Sequence, residues 1–383
     1  MIKIFTPDDP RWKDIDKSKL VLVQAEEKLH DAKFDTKAVG FFKDAVMRFC
    51  RSKVSILALV GIVIISLFAI FGPSMNRFGY NDQNLDYINL PPRVPALAQF
   101  GIFDGSRVLQ NRRMDGLEDT TRYPEGSVLR VFNQRWVRGV QMCDVEVDYY
   151  KFTGVPDDVN FWIGSDYLGR DLWTRMWRGA RVSLLIAFIS VACNVCIGLV
   201  YGSIAGYYGG TVDMIMMRIA EIIGSLPSLV VVTLFILFFG TGMLSIVLAL
   251  VVQNWIGTAR MIRSQFYRYK DSEYVLASRT LGVKDRVLIF RHILPNSIGP
   301  VITRAMVAIS GAIFTESFLA YLGLGIKAPE SSIGVLLSHG QKVMQQYPNQ
   351  VLYPALMISI LMISFNMLSN GLRDAFDPTQ RGA

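Results

Sequence analysis

The 383-residue sequence contains little charge, because Asp, Glu, Lys and Arg make up only 19% of it, against about 25% in an average soluble domain. Hydrophobic residues account for 51%, and the mean hydropathy is +0.31. These values argue against a water-soluble globular protein. They predict a chain that folds in a lipid bilayer.

Cysteine and histidine are also scarce. The four cysteines are too few and too scattered for a disulfide framework, and the three histidines lie too far apart to suggest a His-based metal site. Cys193 and Cys196 have the spacing of a redox pair, but they lie within an apolar run, where small soft side chains pack between helices. Cys143 stands alone, and the sequence gives it no role.

The usual catalytic motifs are missing. The sequence contains no G-x-x-x-x-G-K-[ST] phosphate loop, no H-E-x-x-H and no G-x-S-x-G. An intramembrane enzyme requires a nucleophile and a base on facing spans, and no such pair is recognisable. We therefore predict that the chain is not an enzyme and does not hydrolyse ATP itself.

Long apolar runs are what the sequence does contain. A bilayer core about 30 Å thick requires about 20 apolar helical residues to cross it. Six stretches approach this length, at about residues 54–71, 183–206, 216–239, 243–259, 297–320 and 351–371. Pro227 interrupts the third, and we expect a kink there. The predicted fold class is an all-α polytopic membrane protein with six transmembrane helices.

Lys and Arg flank these spans unevenly. Residues 260–296, called the basic loop below, hold eight Lys or Arg against three Asp or Glu, and residues 48–53 before the first span are also basic. Six spans put both flanks in one compartment, which the positive-inside rule makes the cytoplasm. Arg175, Arg178 and Arg181 then fall on the outer side, where we interpret them as an interfacial helix whose side chains reach lipid headgroups.

Two segments outside the spans differ in pattern. Residues 13–50 interleave charged and apolar positions, which predicts one or two amphipathic helices along the interface; the alternative is a solvated tail. Residues 72–165 are polar, with an alternation at 127–131 and 144–148 that is typical of β-strands. We therefore expect a small, partly β external domain between the first two spans.

Ionisable residues inside apolar spans are costly and suggest function. Glu221 follows Arg218 by one turn in the third span, and Glu316 lies near the outer end of the fifth. The first two can simply pair on one helical face, and Glu316 can cap a neighbouring helix or line a polar path. If both acids were relays, the chain would be a channel or a proton-driven transporter. That rival class predicts uptake that follows the proton gradient.

The basic loop contains clear helix start and stop signals. Asp271-Ser272 offers good N-caps, residues 273–281 favour a helix, and Gly282 follows as a C′ glycine. A second short helix is predicted at 284–292, closed by Leu294-Pro295. Such a protruding helical pair suits docking into a groove of another protein. The alternative is an ordinary basic loop held by anionic headgroups.

Within this loop, Ala277-Ser278-x3-Gly282-x9-His292-Ile293-Leu294-Pro295 resembles the E-A-A-x3-G-x9-I-x-L-P motif of the membrane subunits of ABC importers. Three positions depart from the motif: Leu276 replaces the Glu, Ser278 the second Ala, and His292 the usual Ile. A histidine at that place is similar to the dipeptide and oligopeptide branch of the family.

Other motifs agree with that branch and stand in the right order on consistent sides. They are found at residues 164–171, 179–184, 205–210, 226–228, 316–325 and 372–378. The resemblance covers roughly residues 40–75 and 160–380, and no motif within 76–160 carries over.

The resemblance implies the type I ABC importer permease fold, with an extracytoplasmic insert, in the bacterial plasma (inner) membrane and with both termini cytoplasmic. Implied partners are a second permease subunit, two ATPase subunits that bind ATP and Mg, and an extracytoplasmic binding protein that delivers oligopeptides or dipeptides. Nickel or another small solute is the alternative substrate. No cofactor on this chain and no nucleic-acid partner are expected.

Three sets of residues are expected to carry the function. The ATPase-coupling set comprises Glu273, Ala277, Ser278, Gly282, Val283, Arg291, His292, Leu294 and Pro295. The candidates for the translocation path or gate are Glu221, Pro227, Asn254, Glu316 and Ser317. The outer-face family motif contributes Asp166, Gly169, Arg170 and Asp171.

The expected organisation has five parts. They are a cytoplasmic amphipathic segment (1–53), a first transmembrane helix (54–71), an extracytoplasmic insert with an interfacial helix (72–181), a core permease domain (182–371) that includes the cytoplasmic coupling loop 260–296, and a cytoplasmic C-terminal tail (372–383).

Overall fold

The structure is a computed structural model that describes residues 41–376. Two compact units are distinguished, residues 1–44 and 45–383, and only the start of helix α1 (Phe41–Arg51) is described in the first. Most of the amphipathic segment expected at 13–50 therefore lies outside the described residues.

Five helices in the described residues are long and apolar enough to cross a membrane. They are α2 (Lys53–Phe71), α5 (Leu172–Tyr208), α8 (Met243–Tyr269), α11 (Ile298–Tyr321) and α13 (Asn349–Phe376). They contain five of the six predicted spans, but most run past the predicted ends. Hydropathy marks only the apolar part of a helix, whereas hydrogen bonding continues through the polar turns beyond it.

The sixth predicted span is a pair of helices, α6 (Gly210–Gly224) and α7 (Ser228–Phe239), bent by 77° at their junction. Pro227 lies there in an extended conformation and precedes α7, as expected of a residue without an N–H. Gln253 of α8 donates a hydrogen bond from Nε2 to the freed carbonyl of Leu226 at 2.6 Å. An unpaired carbonyl in lipid is costly, so this amide supports the break.

Successive crossings alternate, which gives the bundle two sides. The basic loop and the ends of α5, α8 and α13 lie on one side, called the loop side. The segment 72–171 lies on the other, called the insert side. Contacts agree with this arrangement, because Trp173 Nε1 at the start of α5 donates to the carbonyl of Gly72 at 3.1 Å, just past the end of α2.

Helices α5 and α8 touch along a stripe of glycines. Gly198, Gly202 and Gly206 are spaced four residues apart and share one face of α5. A side chain at Gly202 would collide with the backbone of Ala259 in α8. The stripe lets the two backbones approach closely, as small residues do between membrane helices.

The insert contains a three-stranded antiparallel sheet of strand order β1-β3-β2. The strands are β1 (Ser106–Arg113), β2 (Val128–Val137) and β3 (Val140–Asp148). A partly β insert was predicted, and β2 and β3 include the two alternating stretches. Strand β1 was missed, because its register shifts between Leu109 and Arg112 and interrupts the alternation.

The segment carrying the three arginines is helical, as predicted, but it is the first part of α5 and not a separate helix. Arg178 pairs with Glu330 at 2.9 Å, and Arg181 Nε donates to the carbonyl of Ala69 at 2.8 Å. Arg175 is buried, and its Nη1 donates to a backbone carbonyl of the insert at 3.1 Å. All three side chains therefore bind protein groups, which the sequence did not predict.

Candidate functional site

The first helix of the basic loop is α9 (Glu273–Thr280), one residue shorter than predicted. Ser272 occupies the N-cap position, but its hydroxyl donates to the carbonyl of Tyr269 at 2.6 Å and caps no N–H. The predicted side-chain cap is therefore wrong. Gly282 has a φ of +78° and ends the helix as the predicted C′ glycine, since this conformation favours glycine.

The second predicted helix is only one α-helical turn, α10 (Asp285–Val287), followed by a π-helical turn at Leu288–Ile293. Leu288, Ile289 and Ile293 are all buried. Spacings of four and five residues align better on the wider π turn than on an α-helix, so the apolar contacts account for the irregularity.

An apolar cluster anchors the basic loop to three membrane helices. Its buried members are Tyr207 of α5, Ile262 and Phe266 of α8, Val275 of α9, Leu288, Ile289 and Ile293 of the π turn, and Val301 of α11. Burial of one such aliphatic side chain contributes about 1.5–3 kcal/mol. The loop is therefore held against the ends of the helices and does not hang free in solvent.

A polar contact adds to this anchor. The Tyr207 hydroxyl donates to Asp285 Oδ1 at 2.6 Å and accepts a hydrogen bond from Arg279 Nη2 at 3.3 Å. Both charged groups belong to the basic loop, and Tyr207 lies in the last turn of α5. A phenol can donate and accept at once, so this one side chain joins the two helical segments of the loop to the span.

The opposite face of the basic loop is exposed and mixes large apolar side chains with charged ones. Leu281 is 83% exposed, Leu276 44% and Phe290 42%. In the expected coupling set, Glu273, Ala277, Gly282, Arg291 and Pro295 are exposed, whereas Ser278, Val283, His292 and Leu294 are half-buried. Large apolar side chains exposed on a protrusion are consistent with a protein-binding surface.

Two further residues shape this face and were not predicted. Asn296 Nδ2 donates to the Tyr274 hydroxyl at 3.1 Å and to the carbonyl of His292 at 3.0 Å. The amide thus ties α9 to the turn that contains the family's histidine position. In the sequence, the position of Asn296 directly after Leu294-Pro295 was the available signal for these hydrogen bonds.

An ion pair on the loop side also escaped prediction. Arg263 of α8 forms a bidentate pair with Asp213 near the start of α6, and the Tyr267 hydroxyl donates to Asp213 Oδ2 at 2.9 Å. Two opposite charges in neighbouring spans were the available signal. The pair fixes the entry of the bent helices against α8.

The expected gate residues do not form one cluster of shared contacts. Glu221 pairs with Arg218 at 2.9 Å on an exposed face of α6, as the alternative reading held. Pro227 and Asn254 are exposed. Glu316 is fully buried, with Ser317 buried beside it.

Glu316 of α11 contacts α5 directly and, through α5, the start of α12 (Ile333–Lys342). Its Oε2 accepts a hydrogen bond from Ser183 Oγ at 2.9 Å. Ser183 Oγ in turn accepts one from the backbone N–H of Ile333 at 3.3 Å. The carboxyl group therefore supports the start of a neighbouring helix through a serine.

The outer-face motif is a buried polar network. Asp166 accepts hydrogen bonds from the backbone N–H and Nε of Arg170, at 3.0 and 2.8 Å. Asp171 caps α5 by accepting from the backbone N–H of Thr174 at 2.8 Å, and burial raises the pKa of its carboxyl group. A side chain at Gly169, whose φ is +70°, would collide with insert backbone. The motif thus locks the insert onto the start of α5.

The cysteines are free thiols, and Cys143 is buried in the sheet. Among residues 41–376, no group of three or more His, Cys, Asp or Glu side chains is placed to hold a metal ion.

Known proteins are similar to this chain over most of its length. Residues 198–382 match the family described as binding-protein-dependent transport system inner membrane component, and residues 40–92 match the N-terminal TM domain of oligopeptide transport permease C. The oligopeptide transport system permease protein OppC of Bacillus subtilis (strain 168) is 34% identical over 349 residues, which cover 91% of this chain and 93% of that protein. The chain belongs to this family of transport permeases.

Dipeptide permeases are similar as well. DppC of Lactococcus lactis subsp. cremoris (strain MG1363) is 36% identical over 347 residues, covering 89% of this permease and 91% of the relative. DppC of Bacillus subtilis (strain 168) is 43% identical over 228 residues, covering 59% and 71%. The resemblance recognised from the motifs is confirmed, including its branch.

Proposed function

We propose that this permease is one membrane subunit of an ATP-driven importer and forms half of a translocation path for oligopeptides or dipeptides. The relatives named above are oligopeptide and dipeptide transport permeases, which supports a peptide substrate. The chain itself is then a transport subunit and not an enzyme.

The observation that carries the proposal is the anchored basic loop. Its inner face is buried against α5, α8 and α11, and its outer face presents Leu276, Ala277 and Leu281. We assign this outer face to an ATPase subunit, which binds ATP and Mg. The loop side is then the cytoplasm, and both termini lie there.

The anchor supports a mechanism of coupling. Since the loop is fixed to α5, α8 and α11 by buried apolar contacts and by Tyr207, a displacement of the loop moves those helices with it. Closure of two ATPase subunits would then rotate these spans against a second permease subunit and open the insert side. A binding protein docked on the insert would release its peptide into that opening.

The energy required is within reach of ATP binding. A two-state equilibrium moves from 1:99 to 99:1 when a ligand binds one state about 10⁴-fold tighter, which is about 5.5 kcal/mol.

The test replaces Ala277 by arginine. This position is exposed, so the variant should insert and fold, but a long cationic side chain on the outer face should block docking. We expect loss of ATPase co-purification and at least a tenfold loss of ATP-dependent, vanadate-sensitive peptide uptake.

The matched control is Ala96→Arg, because Ala96 is an exposed alanine of the short helix α3 (Pro95–Ala98) on the insert side. It should retain the ATPase. Normal ATPase binding and uptake by the Ala277→Arg variant would refute the docking proposal.

A further inference from the structure

A small cavity lies on the insert side, between the start of α5, α12 and the start of α13. The lining side chains that matter are Asp166, Tyr167, Arg170, Arg175, His339 and Gln350. The cavity volume is about 10 Å³, which is room for about one guest the size of a water molecule.

The cavity wall carries more positive than negative charge. Arg170 and Arg175 are each 3% exposed in their side chains, and Asp166 is 7% exposed. Arg170 forms a close ion pair with Asp166, because its Nε and Nη2 lie 2.8 and 2.7 Å from one carboxylate oxygen. Arg175 Nε lies farther from the same oxygen, at 3.6 Å, so two guanidinium groups share one carboxylate and one positive charge is left in excess.

Arg175 is a buried cation whose hydrogen bonding is incomplete. Its Nη1 donates to the carbonyl of Tyr80, but its Nε lies 3.6 Å from Asp166 Oδ2 and has no hydrogen-bond acceptor within the described chain. Buried N–H groups without an acceptor are rare, and a buried charge that must share its counter-ion with a second cation is costly.

His339, on the opposite wall, supplies no negative charge to compensate Arg175. Burial, Lys342, Arg170 and Arg175 lower the pKa of His339, and Asp166 opposes them only in part. The imidazole stacks on Tyr167, with ring centroids 5.4 Å apart.

Gln350 offers little freedom to rearrange toward this charge. Its Nε2 donates to Asn89 Oδ1 at 2.7 Å and to the carbonyl of Ser165 at 3.1 Å. Its amide is thereby held in one orientation.

We propose that this cavity binds one small monatomic anion, for which chloride is the probe, held by Arg175. Such an ion supplies the acceptor that Nε lacks and compensates the excess charge of the wall. A peptide carboxylate is too large for the space. The bound ion would hold the start of α5 against α12 and α13. This end of α5 would then be less mobile when chloride is present.

The test uses the purified importer complex, exchanged into gluconate and titrated with radiolabelled chloride at constant ionic strength. We expect saturable binding of one chloride per copy of this chain. Arg175→Gln should weaken it at least tenfold. Arg178→Gln is the matched control, because Arg178 lies on the same helix but pairs with Glu330 outside the cavity lining, and it should bind chloride normally.

A second variant protects the test against a misfolded Arg175→Gln protein. His339→Glu places a fixed carboxylate in the cavity, so it should abolish chloride binding and make the thermal stability of the complex the same in chloride and gluconate. The wild-type complex should be less stable in gluconate.

Absence of saturable binding in the wild type would mean that the cavity holds only water and would overturn the proposal. Undiminished binding by either Arg175→Gln or His339→Glu would also overturn it.

Discussion

Val275 offers the sharpest test of whether the basic loop must be rigid. Its side chain is fully buried on the inner face of α9, within the apolar anchor. Val275→Ala removes two methyl groups, each worth about 0.8 kcal/mol, and the remaining cavity raises the cost to about 2 kcal/mol. The loss falls on the local opening of the loop, whose equilibrium constant should rise about 30-fold.

The assay compares amide hydrogen exchange in α9 with uptake per ATP hydrolysed. We expect exchange to quicken by about the factor above, and uptake per ATP to fall while ATPase subunits still bind. Leu276→Ala is the control, because the adjacent side chain points to the exposed face. It should leave hydrogen exchange unchanged and weaken ATPase binding.

The reasoning fails if Val275→Ala accelerates exchange as expected while uptake per ATP stays at the wild-type level. Rigidity of the loop would then have no part in coupling. It also fails if both variants behave alike, since the two faces would then have no separate roles.

Three other predictions concern the helix packing, the break and the insert. Gly202→Leu should prevent close packing of α5 on α8 and lower the yield of folded permease in detergent severalfold. Gly311→Leu should not, because a Cβ added at Gly311 meets no atom within 4 Å; equal yields would refute the close-approach argument. Gln253→Leu should lower the free energy of unfolding by about 1–3 kcal/mol because a carbonyl at the helix break loses its donor, while Asn254→Leu should not, as measured by thermal melting. Hydrogen bonds to Asp144, first from the backbone N–H of Asn111, hold the pKa of this carboxyl group below its usual value. The native sheet therefore gains stability from Asp144 above its unfolded pKa, near 4, and loses it as the pH falls through the lower native pKa, so Asp144→Asn should flatten the acid limb of the insert's stability curve.

The spans could be predicted because lipid imposes a simple rule on composition, and the break at Pro227 followed from the missing N–H. The ends could not, because the arginines at 175 and 178 interrupt the apolar run, and their partners in the insert and at Glu330 lie far away in sequence. A charge near a span was interpreted through lipid when its partners were protein groups far away in sequence.

In the candidate site, the family motif and the glycine that ends α9 could be predicted from the sequence, since both depend on residues close together in the chain. The anchor was not. Tyr207 meets Asp285 across 78 residues, and Gln253 meets Leu226 across 27. Such contacts depend on which helices become neighbours, and a single sequence carries no direct signal of that.

Helix α5 runs unbroken through 37 residues, which at about 1.5 Å per residue is about 55 Å, nearly twice the thickness of a hydrocarbon core. Near one end it carries the tyrosine that holds the basic loop, and near the other the arginine of the small cavity. Because α5 is one continuous helix between these two residues, a movement of one end is transmitted to the other. A ligand that restrains the insert-side end of α5 should therefore slow the ATPase subunits on the other side of the membrane without contacting the nucleotide.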